Sequence, residues 1–347
     1  MSSPAIMQHT MLIAPRQFAR ESVPLPKPGP DEVRIRVSHV GVCGSDISAY
    51  YGRHPYINCP IVLGHEFAGV VDARGIYEEG PEPGTPVTVI PHIGCWQCPA
   101  CRQERYNLCD RLRVIGCQAP GAHADFTLAP ARMAVAIPVE ISLETAALVE
   151  PAAVALHGIQ RAMHAGDRVV VVGAGPIGNF AMQCAFVLGA VQVYIADVNA
   201  ARLTLAASHG ASMVINLQQE TLEDGVARCT SGEPIDLFVD AVGGNGVVFN
   251  SLLKLAPRGA RVLQLGLLGK EFAIPQQPDI VEHELTHYGS SMYVPADFHA
   301  VLTYLAAGQL NTTGMVTHRF SFPEIPAAFA MIDAQTESFF KVMFVAS

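Results

Sequence analysis

Over the first part of the chain, apolar residues come in short alternating runs broken by proline and glycine. Pro15, Pro24, Pro26, Pro28 and Pro30 mark turns and extended edges. Glu32-Val-Arg-Ile-Arg-Val-Ser38 then alternates polar and apolar, which predicts a half-buried strand. Further short strands are expected at 61–63, 67–71, 87–90 and 126–128, making an irregular, mostly β region to about residue 140. The texture changes at Ser142, a helix cap for 143–149, and Pro151 suits the first turn of a second helix ending near Met163. A residue before proline is pushed out of helical geometry, so Glu150 is expected at the break between these helices. Its carboxylate there is either aimed at a specific partner or simply solvated.

Val169-Val-Val-Val172 reads as a fully buried strand, followed by Gly173-Ala-Gly-Pro-Ile-Gly178 and an amphipathic helix ending near Gly189. Strands follow at 192–196, near Val214, at 237–239 and at 262–265, alternating with helical patterns, which predicts an α/β unit with a parallel sheet. From about Val294 the pattern turns mixed again, with a helix at 298–307 and a final apolar strand at 342–345. The expected division is therefore 1–152 with 294–347 as one domain and 153–293 as the other.

Composition narrows the function classes. Half of the 347 residues are apolar and 15% are charged, which suits a globular chain with two cores. The net charge of −9 argues against nucleic acid, whose phosphates need clustered Lys and Arg. No apolar run approaches the roughly 20 residues of a membrane span, so no membrane partner is expected. The nine cysteines, an odd number, point to a reducing cytoplasm and no disulfides.

Cys95-Trp-Gln-Cys98-Pro-Ala-Cys101 with Cys109 beyond it has the spacing of a closed, tetrahedral zinc site. Four thiolates leave no position for a substrate, so this zinc would contribute stability. Gly173, Gly175 and Gly178 lie between a buried strand and a helix, the context of a dinucleotide fingerprint. Gly173 makes the tight turn, Gly175 lets the backbone approach a pyrophosphate, and Gly178 lets helix and sheet pack closely. Pro176 and Ile177 complete the loop, whose free N–H groups face the anion. Asp197 ends the next strand about 20 residues on, where a carboxylate accepts from the ribose and repels a 2′-phosphate. NAD is thus favoured over NADP, with Arg202 as the one residue that softens the preference.

Upstream, Cys43, His65 and one of Glu66 or Glu150 can supply three ligands and leave a fourth position open, the mark of a catalytic zinc. Taken alone, a single Cys and a single His are more often packing residues. Binding both carboxylates directly would leave the centre at formal charge −1, a poor Lewis acid, so one direct and one water-held carboxylate is expected. The divergence of adjacent side chains on extended backbone favours Glu150 as the partner of His65.

These residues together resemble the zinc-containing medium-chain alcohol dehydrogenase family over essentially the whole chain. Cys43-Gly-Ser-Asp46, Gly64-His-Glu66, the four-cysteine lobe, the glycine loop and Asp197 carry the resemblance. Val149-Glu-Pro-Ala-Ala-Val-Ala-Leu-His157 is similar to the polyol dehydrogenase branch, which includes sorbitol, galactitol-1-phosphate and sugar-acid dehydrogenases. The resemblance implies a GroES-like, mostly β catalytic domain beside a Rossmann, doubly wound domain, with two zinc ions per chain and NAD. It implies a catalytic set of Cys43, Ser45, His65, Glu66 and Glu150, and it includes both assignments of the two glutamates. Asp46 would orient His65. Ser45 matches the proton-relay hydroxyl, though it equally suits a local backbone cap. Homodimers or homotetramers and a polyol or sugar-derived substrate are expected, with Arg53, Arg113, His54 and His123 as candidate anchors for an anionic one. An L-threonine 3-dehydrogenase-like enzyme and a non-catalytic zinc and NAD-binding protein are the rival readings. Gly121-Ala-His-Ala-Asp-Phe126 departs from the Gly-Gly-Phe-Ala-Glu-Tyr run common in the family, which places His123 near the substrate pocket.

Overall fold

The computed structural model describes residues 5–77, 80–267, 274, 277–335 and 338–346. The chain divides into two compact units, 1–150 with 312–347, and 151–311. The first begins with an antiparallel hairpin of β1 (Ile6–Ala14) and β2 (Gln17–Pro24), where the prolines alone had suggested only turns and edges. β3 (Glu32–Gly41) leads through Val42 and Cys43 into the short α1 (Gly44–Tyr50). After β4 (Glu66–Arg74) and β5 (Pro86–Val89) comes the cysteine lobe, with β6 (His92–Ile93), α2 (Pro99–Arg102) and β7 (Arg113–Val114). β8 (Phe126–Pro130), β9 (Ala134–Ala136) and α3 (Leu143–Ala146) complete this stretch. Residues 61–63 form only a bridge, Ile61 to Leu12, because their backbone is spent on the hairpin and on the Gly121–His123 segment.

Ser142 caps α3 by accepting from the Thr145 N–H at 3.1 Å. The break falls at Ala147 and Leu148, and Glu150 lies in the first turn of α4 (Val149–Ala162) rather than between the helices. Pro151 is tolerated there because first-turn amides have no intrahelical acceptor.

In the second unit, β10 (Arg168–Val172), α5 (Pro176–Val187), β11 (Gln192–Asp197), α6 (Ala200–Ser208) and β12 (Met213–Asn216) alternate as expected. α7 (Leu222–Thr230), β13 (Leu237–Asp240), α8 (Val247–Leu255), β14 (Arg261–Gln264), α9 (Gln277–Glu282) and β15 (Thr286–Gly289) continue the pattern. The six strands are parallel in the order β12-β11-β10-β13-β14-β15, the doubly wound arrangement whose crevice lies at the carboxyl end of β10.

α10 (Pro295–Ala306) belongs to this unit, so the chain returns at Thr312 and not near Val294 as the sequence suggested. The reason is local bonding. His157 of α4 contacts Asp297 at 2.7 Å, and the Asn311 N–H donates to Gln183 of α5 at 2.6 Å. β16 (Val316–Ser321), α11 (Ile325–Ala334) and β17 (Lys341–Val345) then complete the first unit, whose main sheet runs β16-β17-β3-β4-β5-β9, with β8 also on β3.

Candidate metal centres and dinucleotide loop

Cys95, Cys98, Cys101 and Cys109 bring their sulfurs within 4.8 Å of one another. Tetrahedral zinc with bonds near 2.3 Å needs sulfurs about 3.8 Å apart. Cys95 and Cys101 stand at 3.9 Å, so the thiol set fits the ion. Backbone N–H groups of Cys98 and Cys101 donate to Cys95 and Cys98 at 3.3 and 3.4 Å, and those of Cys95 and Arg111 donate to Cys109 at 3.3 and 3.4 Å. Such donors favour thiolate. The N–H groups of Gln97 and Cys98 pull Cys95 down to about 6, while burial and the Cys98 sulfur push Cys101 up to about 12. Trp96, at φ 63°, lies edge-on to Tyr106 and under Arg132, whose guanidinium is 5.0 Å from its ring.

A second cluster gathers Cys43, His65 and Glu66, again with ligand atoms within 4.8 Å. Two segments deliver them. Cys43 precedes α1, whose Asp46 reaches back to accept its N–H at 2.9 Å. Asp46 is fully buried, and its other oxygen lies 3.5 Å from His65 Nδ1. Gly64, at φ 94°, turns the chain so that His65 enters the cluster as β4 begins, and a side chain there would strike His123 and Val40. Ser45 Oγ lies 3.4 Å from His65 Nε2, on the ligand side of the ring. Burial, then Glu66, raises the Cys43 thiol. Burial would discharge His65, but Asp46 and then Cys43 hold its pKa well above 6.5. A thiol, an imidazole and a carboxylate thus form a donor set suited to zinc.

Glu150 stands outside the 4.8 Å group but is buried beside it. Burial lifts its carboxyl to about 7, Glu66 adding to the rise against His65 and Lys341. Lys341 is the residue that sequence reasoning missed. It opens β17, is 3% exposed, pairs with Glu66 and donates to the Val42 carbonyl at 3.0 Å. Burial lowers its pKa, but Glu66, Cys43 and Glu150 more than offset this, so the ammonium is retained. Its only sequence signal was one cation at the head of an apolar strand.

In the other unit, Gly173 takes φ 100° and Gly175 precedes α5 in extended geometry, with Pro176 as the first helical residue. A Cβ on Gly178 would overlap the Gly173 carbonyl oxygen, as close packing of helix on sheet requires. Asp197 holds the glycine loop with one oxygen, accepting from Ala174 N–H at 2.6 Å, and with the other accepts from Asn199 N–H just beyond its own strand at 2.8 Å. The carboxylate expected to wait for a ribose therefore also pins the glycine turn. Arg202 reaches to 3.8 Å of a Cβ position on Gly175, and its buried Nε has no hydrogen-bond partner among the described residues.

Residues 29–139 match the model of the alcohol dehydrogenase GroES-like domain, and residues 176–307 match that of zinc-binding dehydrogenases. The chain is 34% identical over 310 residues to L-galactonate-5-dehydrogenase of Escherichia coli K12, covering 89% of this chain and 90% of that one. It belongs to the zinc-containing medium-chain alcohol dehydrogenase family. It is also 33% identical over 311 residues to L-threonine 3-dehydrogenase of Anaeromyxobacter sp. Fw109-5, covering 88% and 90% of the two chains. Among solved structures, an alcohol dehydrogenase from Escherichia coli CFT073 complexed with NADH superposes with a TM-score of 0.89 at 30% identity, covering 98% and 99%.

Within this family frame the candidate substrate anchors separate. His123 is 1% exposed, with its ring edge-on to Phe344 at 5.0 Å and Phe329 at 6.2 Å. Burial drives its pKa down to about 4, so it is a neutral core residue and no cationic anchor. Arg53 packs over Tyr51 at 5.1 Å. Arg113 lines a cavity of about 350 Å³ with His9 and Glu32, and none of the candidate metal ligands faces that cavity. His54 accepts the Tyr56 N–H at 3.2 Å, and burial followed by the charge of His65 lowers its pKa.

Proposed function

We propose that this dehydrogenase oxidises a secondary hydroxyl of a polyol, sugar phosphate or sugar acid, with NAD as hydride acceptor and two zinc ions per chain. The observation that carries the reading is the gathering of Cys43, His65 and Glu66 into one three-donor cluster, in a chain that also carries the glycine loop. Zinc bound at that cluster supplies Lewis-acid chemistry toward the substrate hydroxyl. Asp46 orients the ring of His65, and Ser45 Oγ, 3.4 Å from His65 Nε2, passes on the alcohol proton. Glu150, raised to about 7, can exchange that proton near neutral pH. Gly173, Gly175, Pro176, Ile177 and Gly178 offer their turn and free amides to a pyrophosphate. Asp197 favours an unphosphorylated ribose, and Arg202, whose Nε has no hydrogen-bond partner among the described residues, is the group through which NADP would gain a foothold. The cysteine lobe holds its zinc for stability.

The threonine enzyme is the second reading, supported by similar identity. The polyol reading draws on the sequence from Val149 to His157 and on the L-galactonate relative. A panel of polyols, sugar phosphates, hexonates and L-threonine, read by NADH absorbance with and without chelator, separates the two. NADH formation that persists in C43A or H65A would sink the catalytic-zinc reading, as would its absence with every alcohol offered.

A further inference from the structure

A divalent ion with Cys43, Glu66 and Glu150 ionised and His65 neutral carries a formal charge of −1, and Lys341 brings the sum to zero. The pairing that places this cation is built into the sheet. Register sets Gly41 of β3 opposite Glu66 of β4 on one side and opposite Met343 of β17 on the other. Side chains alternate along a strand, so Lys341, two residues before Met343, leans over the same face. A Cβ on Gly41 would collide with Glu66 Oε2 and come within 3.1 Å of Lys341 Cε. The missing side chain at Gly41 is the space that the ion pair fills. Lys341 is held at its other side by the Val42 carbonyl, next to the ligand Cys43.

We propose that Lys341 is a positioning residue of the metal centre: it grips one edge of the Glu66 carboxylate and sets a buried positive charge against the ligand cluster. It rests on the reading of Cys43, His65 and Glu66 as a metal centre. Its consequence runs against ordinary damage. A merely structural lysine, once removed, leaves a looser site that binds metal more weakly. A charge-balancing lysine, once removed, leaves a more anionic site that binds metal more tightly and polarises an alcohol less.

The test uses the full chain with cobalt(II) exchanged into the second site and zinc left in the cysteine lobe. Affinity is measured by competition with a chromophoric chelator, and coordination by the visible cobalt spectrum. K341M is expected to bind cobalt about 10–100-fold more tightly, the usual size of outer-partner effects. Its cobalt bands should shift as the freed Glu66 oxygen moves toward the ion, and K341R should restore both values. Unchanged or weaker cobalt binding in K341M overturns the proposal. If K341M does not fold, K341Q, which loses the charge but retains a hydrogen-bond donor, is held to the same expectation. A wild-type protein that takes up metal only at the four cysteines would instead overturn the metal-centre reading itself.

Discussion

Replacing His123 by phenylalanine should make the protein more resistant to acid. The imidazole is 1% exposed, and neither ring nitrogen has a hydrogen-bond partner among the described residues. Its pKa falls from 6.5 to about 4, chiefly through burial, with Asp46 opposing and His65 assisting. The unfolded chain therefore takes a proton at this ring below pH 6.5, and the folded chain refuses it until about pH 4. The folded-state advantage is complete above 6.5 and is lost as pH falls between those values. At about 1.36 kcal/mol per unit of pKa difference, the loss is about 2 kcal/mol by pH 5 and about 3 kcal/mol by pH 4. Phenylalanine preserves the ring contacts with Phe329 and Phe344 and removes the titrating group. Urea unfolding of metal-saturated wild type and H123F, at pH 7 and pH 5, isolates the effect, because the ligand groups titrate in both proteins. The stability difference should move by about 2 kcal/mol in favour of H123F between the two pH values. Parallel losses in the two proteins would refute the assignment of His123 as a buried neutral ring.

Two further outcomes test other parts of the molecule. G178A should abolish NADH binding, measured by fluorescence, while metal content is retained, since the added Cβ collides with the Gly173 carbonyl. In the same unit, Arg261 donates to Asp167 at 2.8 Å and to the Ala162 carbonyl at 2.9 Å, both ion-pair side chains being largely buried. R261M should cost about 3–5 kcal/mol in urea unfolding because it strands the Asp167 carboxylate, and adding D167N should recover part of that loss.

The parts of the protein legible from its sequence are those whose chemistry is local. Cys95 to Cys109 and Gly173 to Gly178 each lie within one short segment, so spacing alone reports which atoms can converge. The same holds for the valines of β10 and for Ser142, whose cap bond spans three residues. What tertiary structure decided are pairings between distant segments. Lys341 meets the Val42 carbonyl across 299 positions and reaches Glu66 only because β17 lies beside β3 and β3 beside β4. His123 looked like a substrate residue by its position in a motif, and became a core residue because Phe329 and Phe344 close over it. The charge around the candidate ligand cluster is the clearest case. Counting ligands along the chain gives a neutral site with one direct carboxylate and an anionic one with two. The folded protein adds a buried lysine that no spacing rule connects to them, because electrostatic sums depend on distance in space and not on distance along the chain.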